Sequence, residues 1–355
     1  MSKLLYFLFS AGVISLIQAV YYLSLPGEPT PVLSKKIQTY LVSNQRSQLP
    51  PFLHFISKAF VDDEKESGKV DLVLYAKARS SMIEFFKTRL DQDFRNPGIE
   101  IDSIKRTLPL KKIRLFSNHY VEESLTLLKR GQPLQAKLRF MVLYKFTQYL
   151  CNSTDHNGRN WDTINYMVGL AVKRQIFKLL LKGQEEGDFS QSEVRRVTNG
   201  LRQIRQMDLN QDEVFERGIL YTNFLVGSSI ANVYLEVERK EISGLRKKLI
   251  IRYVECAFKL TERYLKDFER FVRGKGMDQP EVYNLWLKEN PMPAFNWQSV
   301  KLFSFSALGV TIYPPGLTNA IAEGLSITII HVGVPNLGSI LKNLKEVDDY
   351  LEKLA

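Results

Sequence analysis

Apolar residues recur three or four positions apart along most of the chain, with polar residues between them. Positions with this spacing lie on one face of a helix, so the pattern predicts amphipathic α-helices. It runs over residues 32–60, over 69–94, and through a series of segments between residues 111 and 275. Strand-like alternation is scarce. We therefore predict an all-α fold of antiparallel helix pairs, forming a helical bundle or short solenoid-like body over residues 33–298.

Two of the turns between these segments carry helix-capping motifs. Ser190 and Glu193 have the Ser-x-x-Glu form of a capping box, and Asn210 with Glu213 has a similar arrangement. In such pairs each side chain accepts a hydrogen bond from a backbone N–H group at the first turn of the helix. Both pairs therefore predict the start of a helix.

Two apolar segments contain an internal glycine, Gly169 in YMVGLA and Gly227 in FLVGSS. Glycine weakens a helix interior, so another reason is needed for its presence there. Because glycine has no Cβ, we predict that another element approaches the helix backbone closely at these two positions.

The N-terminal segment departs from the amphipathic pattern. Residues 4–25 contain no charged side chain, and the Pro- and Gly-rich linker 26–32 stops any helix. About 20 apolar residues suffice to cross a hydrocarbon core, so the run predicts one transmembrane signal anchor. A cleavable signal peptide cut after Ala19, or a buried helix, is the alternative. Lys3 before the run predicts an exported body on the bacterial periplasmic side.

The C-terminal region, residues 299–355, is apolar and interrupted by prolines and glycines. Residues 302–322 and 324–341 lack charged side chains apart from Glu323 between them. The interruptions argue against two further membrane spans and favour buried helices or a peripheral region that contacts the membrane. A charged helix is predicted for residues 341–354.

The charge balance favours anionic partners. The chain has 49 Lys and Arg residues against 38 Asp and Glu residues, a formal net charge of +11. Basic residues are densest over 239–275, which predicts a surface for anionic lipid or polymer rather than nucleic acid. The candidate anion-binding residues are Arg246, Lys247, Lys248, Arg252, Lys259 and Arg263. Acidic residues recur every seven positions among them, which equally fits intrahelical ion pairs on a solvated face.

No known catalytic motif stands out. The chain has no HExxH, GxSxG, P-loop or GxGxxG sequence, and its four histidines are scattered. We therefore predict neither a metal site nor a cofactor. Glu185, Glu186 and Asp188 are a conceivable set of hydrolase carboxylates, although acidic residues also favour the start of the following helix.

Residues 208–212, Asp-Leu-Asn-Gln-Asp, resemble the first half of a calcium loop. The sixth position is Glu213 instead of glycine, and the twelfth is Ile219 instead of glutamate. Helix capping by the Asp and Asn side chains therefore accounts better for this stretch. Cys151 and Cys256 lie in apolar segments, as one disulfide or as two buried thiols.

Four segments of the central region carry a family resemblance. They are INYMVGLAVKRQIFKLLLKG, DFSQSEVRRVTNGLRQI, DEVFERGIL and RYVECAFKLTERYL. Over residues 110–310 the chain resembles uncharacterised bacterial envelope proteins with a single N-terminal membrane anchor and an all-helical exported body. The resemblance implies a location and an architecture, and it implies no activity.

These observations favour a non-enzymatic scaffold or adaptor protein, anchored in the membrane of the cell envelope, with protein partners. Two alternatives follow from the same residues. One is an envelope hydrolase whose carboxylates meet only in the fold, and the other is a peripheral binder of anionic lipid or polymer through the basic helix.

Overall fold

The computed structural model describes residues 13, 20–21, 23–40, 50–60, 70–94, 109–152, 163–241, 244–277, 279–290, 305–307, 310–312 and 337–354. The described helices are α1 Pro31–Tyr40, α2 Pro51–Ala59, α3 Leu72–Lys87, α4 Leu110–Lys129, α5 Pro133–Asn152, α6 Thr163–Glu185, α7 Gln191–Arg205, α8 Gln211–Arg239, α9 Gly244–Lys275, α10 Pro280–Glu289 and α11, residues 337–353. The predicted helical fold is confirmed, and most of the helices lie where the apolar spacing placed them.

One short hairpin departs from the all-α prediction. Strands β1, Phe305–Ala307, and β2, Val310–Ile312, pair antiparallel with Ser306 opposite Thr311. This segment belongs to the uncharged region for which we expected buried helices or a peripheral region that contacts the membrane. Val310, Thr311 and Ile312 are consecutive β-branched residues, which fit a pleated strand better than a helix.

The chain forms two compact units, each assembled from separate stretches of sequence. The N-terminal unit contains Met1–Ser43, Thr222–Gly276 and Glu281–Pro335, and the central unit contains Asn44–Tyr221, Met277–Pro280 and Asn336–Ala355. Helix α8 belongs to both units, because the division falls at Thr222. The body expected over residues 33–298 is thus divided between two units, and the boundaries expected at residues 25, 32 and 298 stay predictions.

Helix α5 lies at the middle of the central unit and packs against α3, α4, α6 and α7. Every residue from 142 to 151 is buried. This stretch of the helix has no solvated face, so its polar side chains, Lys145, Thr147 and Gln148, are buried with the apolar ones. Each of these polar groups then needs a partner inside the protein, since an unpaired buried polar group is costly.

Aromatic rings join α2, α3 and α5. The Phe86 ring lies 5.6 Å from Phe52, 6.1 Å from Phe146, 5.9 Å from Tyr149 and 6.2 Å from Phe94, measured between ring centroids. All four pairs are tilted or edge-to-face, and aromatic quadrupoles favour such arrangements over a face-to-face sandwich. We call these five residues the aromatic cluster.

Both predicted helix starts are confirmed. The Ser190 hydroxyl accepts from the Glu193 N–H, and the Glu193 carboxylate accepts from the Ser190 N–H, forming a capping box. Asn210 and Glu213 make the same reciprocal pair, with distances of 2.8 Å in both directions. Hydrogen bonds from the Ser190 side chain and backbone lower the pKa of the Glu193 carboxyl, as expected for a carboxylate that caps a helix.

Helix α11 is part of the central unit, and Leu337, four residues before the predicted start, is already helical. Arg205 on α7 makes two parallel hydrogen bonds to the Asp348 carboxylate, each 3.0 Å long. Arg202 donates to the Leu351 carbonyl at 3.0 Å. These arginines hold the C-terminal helix against α7, because a bidentate guanidinium–carboxylate pair fixes orientation as well as distance.

In the N-terminal unit, Tyr40 at the end of α1 fits against α8 and α9. Its ring stacks on Phe258 at 5.4 Å and lies 6.2 Å from Phe224. A Cβ added to Gly227 would lie 2.4 Å from the Tyr40 ring, inside contact distance. At Gly169 an added Cβ would lie 2.3 Å from the Cys151 sulfur. The close approaches predicted at both glycines are confirmed.

We expect Gly227→Ala to destabilise the protein by about 1–3 kcal/mol, because the new methyl group displaces Tyr40. Gly274→Ala is the matched control, since an added Cβ at this helical glycine meets nothing within 4 Å. The control is expected to gain about 0.5–1 kcal/mol from helix propensity alone. Urea denaturation of both variants checks the prediction, and equal effects of the same sign would contradict it.

Most of the predicted membrane anchor, residues 4–25, lies outside the described residues. Within the part of the chain that the structure describes, no helix is both long enough and apolar enough to span a membrane.

Candidate functional site

The first two turns of α9 contact the end of the apolar N-terminal run. Lys247 forms an ion pair with the Glu28 carboxylate at 2.5 Å, and Lys248 donates to the Leu23 carbonyl at 3.3 Å. One turn later, a hydrogen bond joins the Arg252 guanidinium to the Tyr21 side chain. We call Lys247, Lys248 and Arg252 the basic site. All of these residues belong to the N-terminal unit.

The local sequence explains why these cations need partners outside their own helix. Helix α9 begins at Gly244, which has a φ of +65°. Its first turn contains no acidic residue. Positive side chains near a helix N-terminus are unfavourable, because this end of the helix dipole is itself positive. The Glu28 carboxylate and the Leu23 carbonyl offset this repulsion, so the N-terminal segment completes the start of the helix.

The other predicted anion-binding residues lie in a different environment. Lys259 pairs with Glu255 at 2.8 Å and Arg263 with Asp267 at 3.9 Å, both at i,i+4 spacing. Their side chains are 68% and 77% exposed, whereas the Lys247 side chain is 24% exposed. Exposed pairs of this kind contribute little stability. Arg246 lies on the first turn of α9, and its side chain is outside the described residues.

One of the evenly spaced acidic residues binds another helix. Glu262 pairs with Lys36 of α1, and the Lys36 ammonium lies 5.1 Å from the centre of the Phe258 ring. Arg252 also pairs with Glu255 at 3.1 Å. The alternating charges of α9 therefore serve two purposes, intrahelical pairing and attachment of the N-terminal segment.

The central unit contains a second candidate feature, an open groove of about 490 Å³. Helix α6 supplies most of its wall, and α4 and α11 contribute one residue each. The lining residues are Arg114, Met167, Ala171, Val172, Arg174, Gln175, Lys178, Leu179 and Asn343. The groove thus combines an apolar surface with three cations and two amides.

The three cations of the groove differ in their pairing. Arg174 pairs with Glu346 of α11 at 2.8 Å, and it donates to the Asn343 side-chain oxygen at 3.2 Å. Arg114 and Lys178 are exposed, and neither has an ion-pair partner among the described residues. The groove therefore carries a net positive charge.

The opposite face of α6 contributes to a buried polar network. Lys173 pairs with Asp208 at 2.7 Å, and both side chains are 2% exposed. The Asp208 carboxylate also accepts from the Tyr144 hydroxyl at 2.7 Å and from the Gln148 amide at 2.6 Å. Charged partners and hydrogen bonds occupy both carboxylate oxygens, as a buried ion requires.

This network corrects our interpretation of Asp208. We expected Asp208 and Asn210 to act together as helix caps, and only Asn210 does so. Asp208 points into the core because it follows α7 at a turn beside Lys173 and Tyr144. Burial first, then the adjacent Asp208 carboxylate, raises the pKa of the Tyr144 hydroxyl well above its usual value. Tyr144 therefore stays protonated and acts as a donor.

A second buried cation lies beside the network. Lys145 is buried and donates to the Gln92 carbonyl at 2.8 Å. It also lies 3.2 Å from the Met207 sulfur and 5.5 Å from the Phe94 ring centre. Burial lowers the pKa of Lys145 to about 8, even though nearby carboxylates act in the opposite direction.

The lowered pKa makes stability depend on pH. Between about pH 8 and pH 10 Lys145 loses its proton in the folded state but keeps it in the unfolded state, so the unfolded state binds more protons. Stability therefore rises with pH over this window, by about 1–2 kcal/mol. Guanidinium denaturation at pH 7.5 and pH 9.5 measures the rise in ΔG, and Lys145→Met should abolish it. A wild-type protein with no such rise would contradict the prediction.

Two of the three carboxylates considered for hydrolysis form ion pairs with lysines. Asp188 pairs with Lys129 at 2.6 Å and Glu186 with Lys182 at 3.5 Å, so these carboxylates do not face each other as an acid–base pair. Within the described residues no group of three or more His, Cys, Asp or Glu side chains could hold a metal ion. His156 and His331 lie outside the described residues.

The two cysteines are buried thiols and no disulfide joins them. Cys151 lies 3.6 Å from the Tyr166 carbonyl. Burial raises the pKa of its thiol to about 12, which makes it a poor nucleophile at neutral pH.

Sequence reasoning missed the buried network and the groove. The sequence does carry a signal for the network, because Lys145, Gln148 and Lys173 interrupt segments that are otherwise strongly apolar. The groove has no comparable signal, since its residues come from three helices that are far apart in the chain.

Comparison of the chain with protein-family models, with curated proteins and with solved structures finds no match.

Proposed function

We propose that this protein is a non-enzymatic scaffold or adaptor, anchored in the membrane by residues 4–25, with its basic site in contact with anionic lipid headgroups. We further propose that the central unit is a helical bundle built around α5, which presents its surface to protein partners. The observation that carries the proposal is the contact between the basic site and the segment from Tyr21 to Glu28.

The position of this contact supports the membrane assignment. The uncharged run ends at Leu25, so the basic site lies where an apolar helix that crosses a bilayer would reach the headgroups. Val20 and Leu23 are 59% and 78% exposed. Exposed apolar residues next to Lys and Tyr side chains are typical of a membrane–water interface, where long cations reach the phosphates and aromatic rings lie at headgroup level.

The charges supply an affinity for acidic lipid. A Lys or Arg near an anionic membrane surface contributes about 1 kcal/mol of attraction. Glu28 neutralises only part of the basic site, because Lys248 and Lys247 together carry two positive charges against its one. This interpretation joins two separate predictions from the sequence, the membrane anchor and the anion-binding residues of α9.

Anchoring is tested by alkaline carbonate extraction of membranes that contain the full-length protein. We expect the wild-type protein to stay in the membrane pellet. A variant with Ile17→Arg, which introduces a charge into the uncharged run, should move to the supernatant at least in part. Wild-type protein in the supernatant would refute the anchor.

Headgroup contact is tested by native mass spectrometry of the detergent-solubilised full-length protein with added phosphatidylglycerol. The double variant Lys247→Gln/Lys248→Gln should lose most of the lipid adducts. The matched control is Lys266→Gln/Arg270→Gln, with the same change of charge about 30 Å further along α9. Equal losses in the two double variants would show that net charge alone attracts the lipid.

We also propose that the body is exported, on the basis of Lys3 and the positive-inside rule. A C-terminal alkaline phosphatase fusion should be active in cells, since this enzyme requires export. A fluorescent C-terminal GFP fusion together with an inactive phosphatase fusion would place the body on the cytoplasmic side.

A further inference from the structure

The wall of the groove is a stripe along one face of α6. Met167, Ala171, Arg174, Gln175 and Lys178 follow one another at spacings of four, three, one and three residues. Positions with these spacings lie on one side of a helix, over a length of about 17 Å. The stripe is apolar at its beginning, where Ala171 leaves room for a close neighbour, and cationic at its end.

The charges of the groove select an acidic occupant. Arg114 of α4 and Lys178 of α6 are exposed and have no ion-pair partner among the described residues. Arg174 already binds a carboxylate carried by a helix, since Glu346 of α11 lies 2.8 Å from its guanidinium. One cation of the groove is therefore already paired with an acidic side chain of a neighbouring helix. The other two cations can pair with acidic side chains of a further helix.

We infer that the groove lined by Arg114, Arg174 and Lys178 is a docking site for an acidic amphipathic helix of a partner protein. The partner's apolar side chains would cover Met167 and Ala171, and its carboxylates would pair with Arg114 and Lys178. This inference rests on the proposed adaptor function and names the chemistry of the partner. A straight stripe with an apolar half and a cationic half fits an amphipathic helix in a groove better than it fits a small anion, which needs no apolar wall.

The test uses the full-length protein in detergent and a designed, fluorescein-labelled helical peptide of about 16 residues, long enough to follow the stripe. The peptide carries leucines on one face and glutamates beside them, and its twin carries glutamines instead of glutamates. Fluorescence anisotropy should show that the acidic peptide binds about tenfold more tightly than its twin, the equivalent of two modest ion pairs.

Two double variants assign the binding to the groove. Arg114→Ala/Lys178→Ala should remove the preference for the acidic peptide. Arg130→Ala/Arg195→Ala, which removes two exposed cations of the same unit outside the groove, should retain it. A charge reversal, Arg114→Glu/Lys178→Glu, should prefer a peptide with lysines in place of the glutamates.

The inference is overturned if the acidic peptide binds no better than its glutamine twin, or if the charge reversal leaves the preference unchanged. If inorganic phosphate displaces the acidic peptide completely, the leucine face of the peptide contributes nothing to binding. That result would show a small-anion site instead. Because the peptide measurement needs no membrane, its failure is distinct from a failure of the extraction and lipid tests.

Discussion

Replacing Asp208 by Ala is expected to destabilise the protein by about 3–5 kcal/mol, because it leaves the buried Lys173 ammonium without its counter-charge. Lys173 and Asp208 are each 2% exposed, so water cannot replace the lost partner. In the same step the Tyr144 hydroxyl loses its acceptor, and the Gln148 amide keeps only the Ile204 carbonyl. Chemical denaturation at pH 7, followed by circular dichroism, measures the change in ΔG of unfolding.

The control for Asp208→Ala is a double-mutant cycle with Lys173→Met. Lys173→Met alone is also expected to destabilise the protein, since it leaves the Asp208 carboxylate with only the longer, 3.5 Å ion pair to Arg205. In the double variant most of the loss should be recovered, because no uncompensated charge remains in the core. Additive losses would show that the two residues act independently, contrary to the ion pair seen in the structure.

Replacing Phe86 by Ala is expected to cost about 3–5 kcal/mol, the usual range for an aromatic residue removed from a core. Its ring is completely buried in the aromatic cluster. It lies next to rings of α2 and α5 and next to Phe94, which follows α3 in the chain. Loss of the ring leaves a cavity between three helices that the surrounding chains cannot close without moving. Urea denaturation and near-ultraviolet circular dichroism should show lower stability and loosened aromatic packing.

Leu72→Ala is the control for Phe86→Ala on the same helix. Leu72 begins α3 and is 74% exposed, so its removal should change stability by less than about 0.5 kcal/mol. If Leu72→Ala lowered the free energy of unfolding as much as Phe86→Ala, the burial of a side chain in this structure would not predict its contribution to stability.

The helices themselves could be predicted because the information for them is local. The apolar spacing, the Ser190–Glu193 pair and the Asn210–Glu213 pair each act within one or two turns of the chain. Close approach at Gly227 was also predictable, since a glycine inside an apolar helix needs an external reason. The residue that approaches, Tyr40, is 187 positions away, and no local pattern names it.

The candidate sites follow the same division. Lys247, Lys248 and Arg252 were predicted as basic residues of one helix. Their contact with Tyr21, Leu23 and Glu28 depends on how the N-terminal segment packs on α9. For Asp208, the local pattern suggested a helix cap, but the buried Lys173 and Tyr144 bind its carboxylate in the core. An aspartate in this local sequence could act as a helix cap or as a buried counter-ion. Only the residues that surround it in the folded protein decide between the two roles.

The sequence by itself therefore determined the helical character of the chain, the ends of several helices, the uncharged N-terminal run and the basic character of α9. These properties depend on residues a few positions apart, whose interactions hold in any compact arrangement of the helices. The tertiary structure decided the division into two units, the buried network around Asp208, the groove beside α6 and the contact between the basic site and residues 21–28. Each of these joins side chains from distant parts of the chain, and their burial and pairing exist only once the helices have packed.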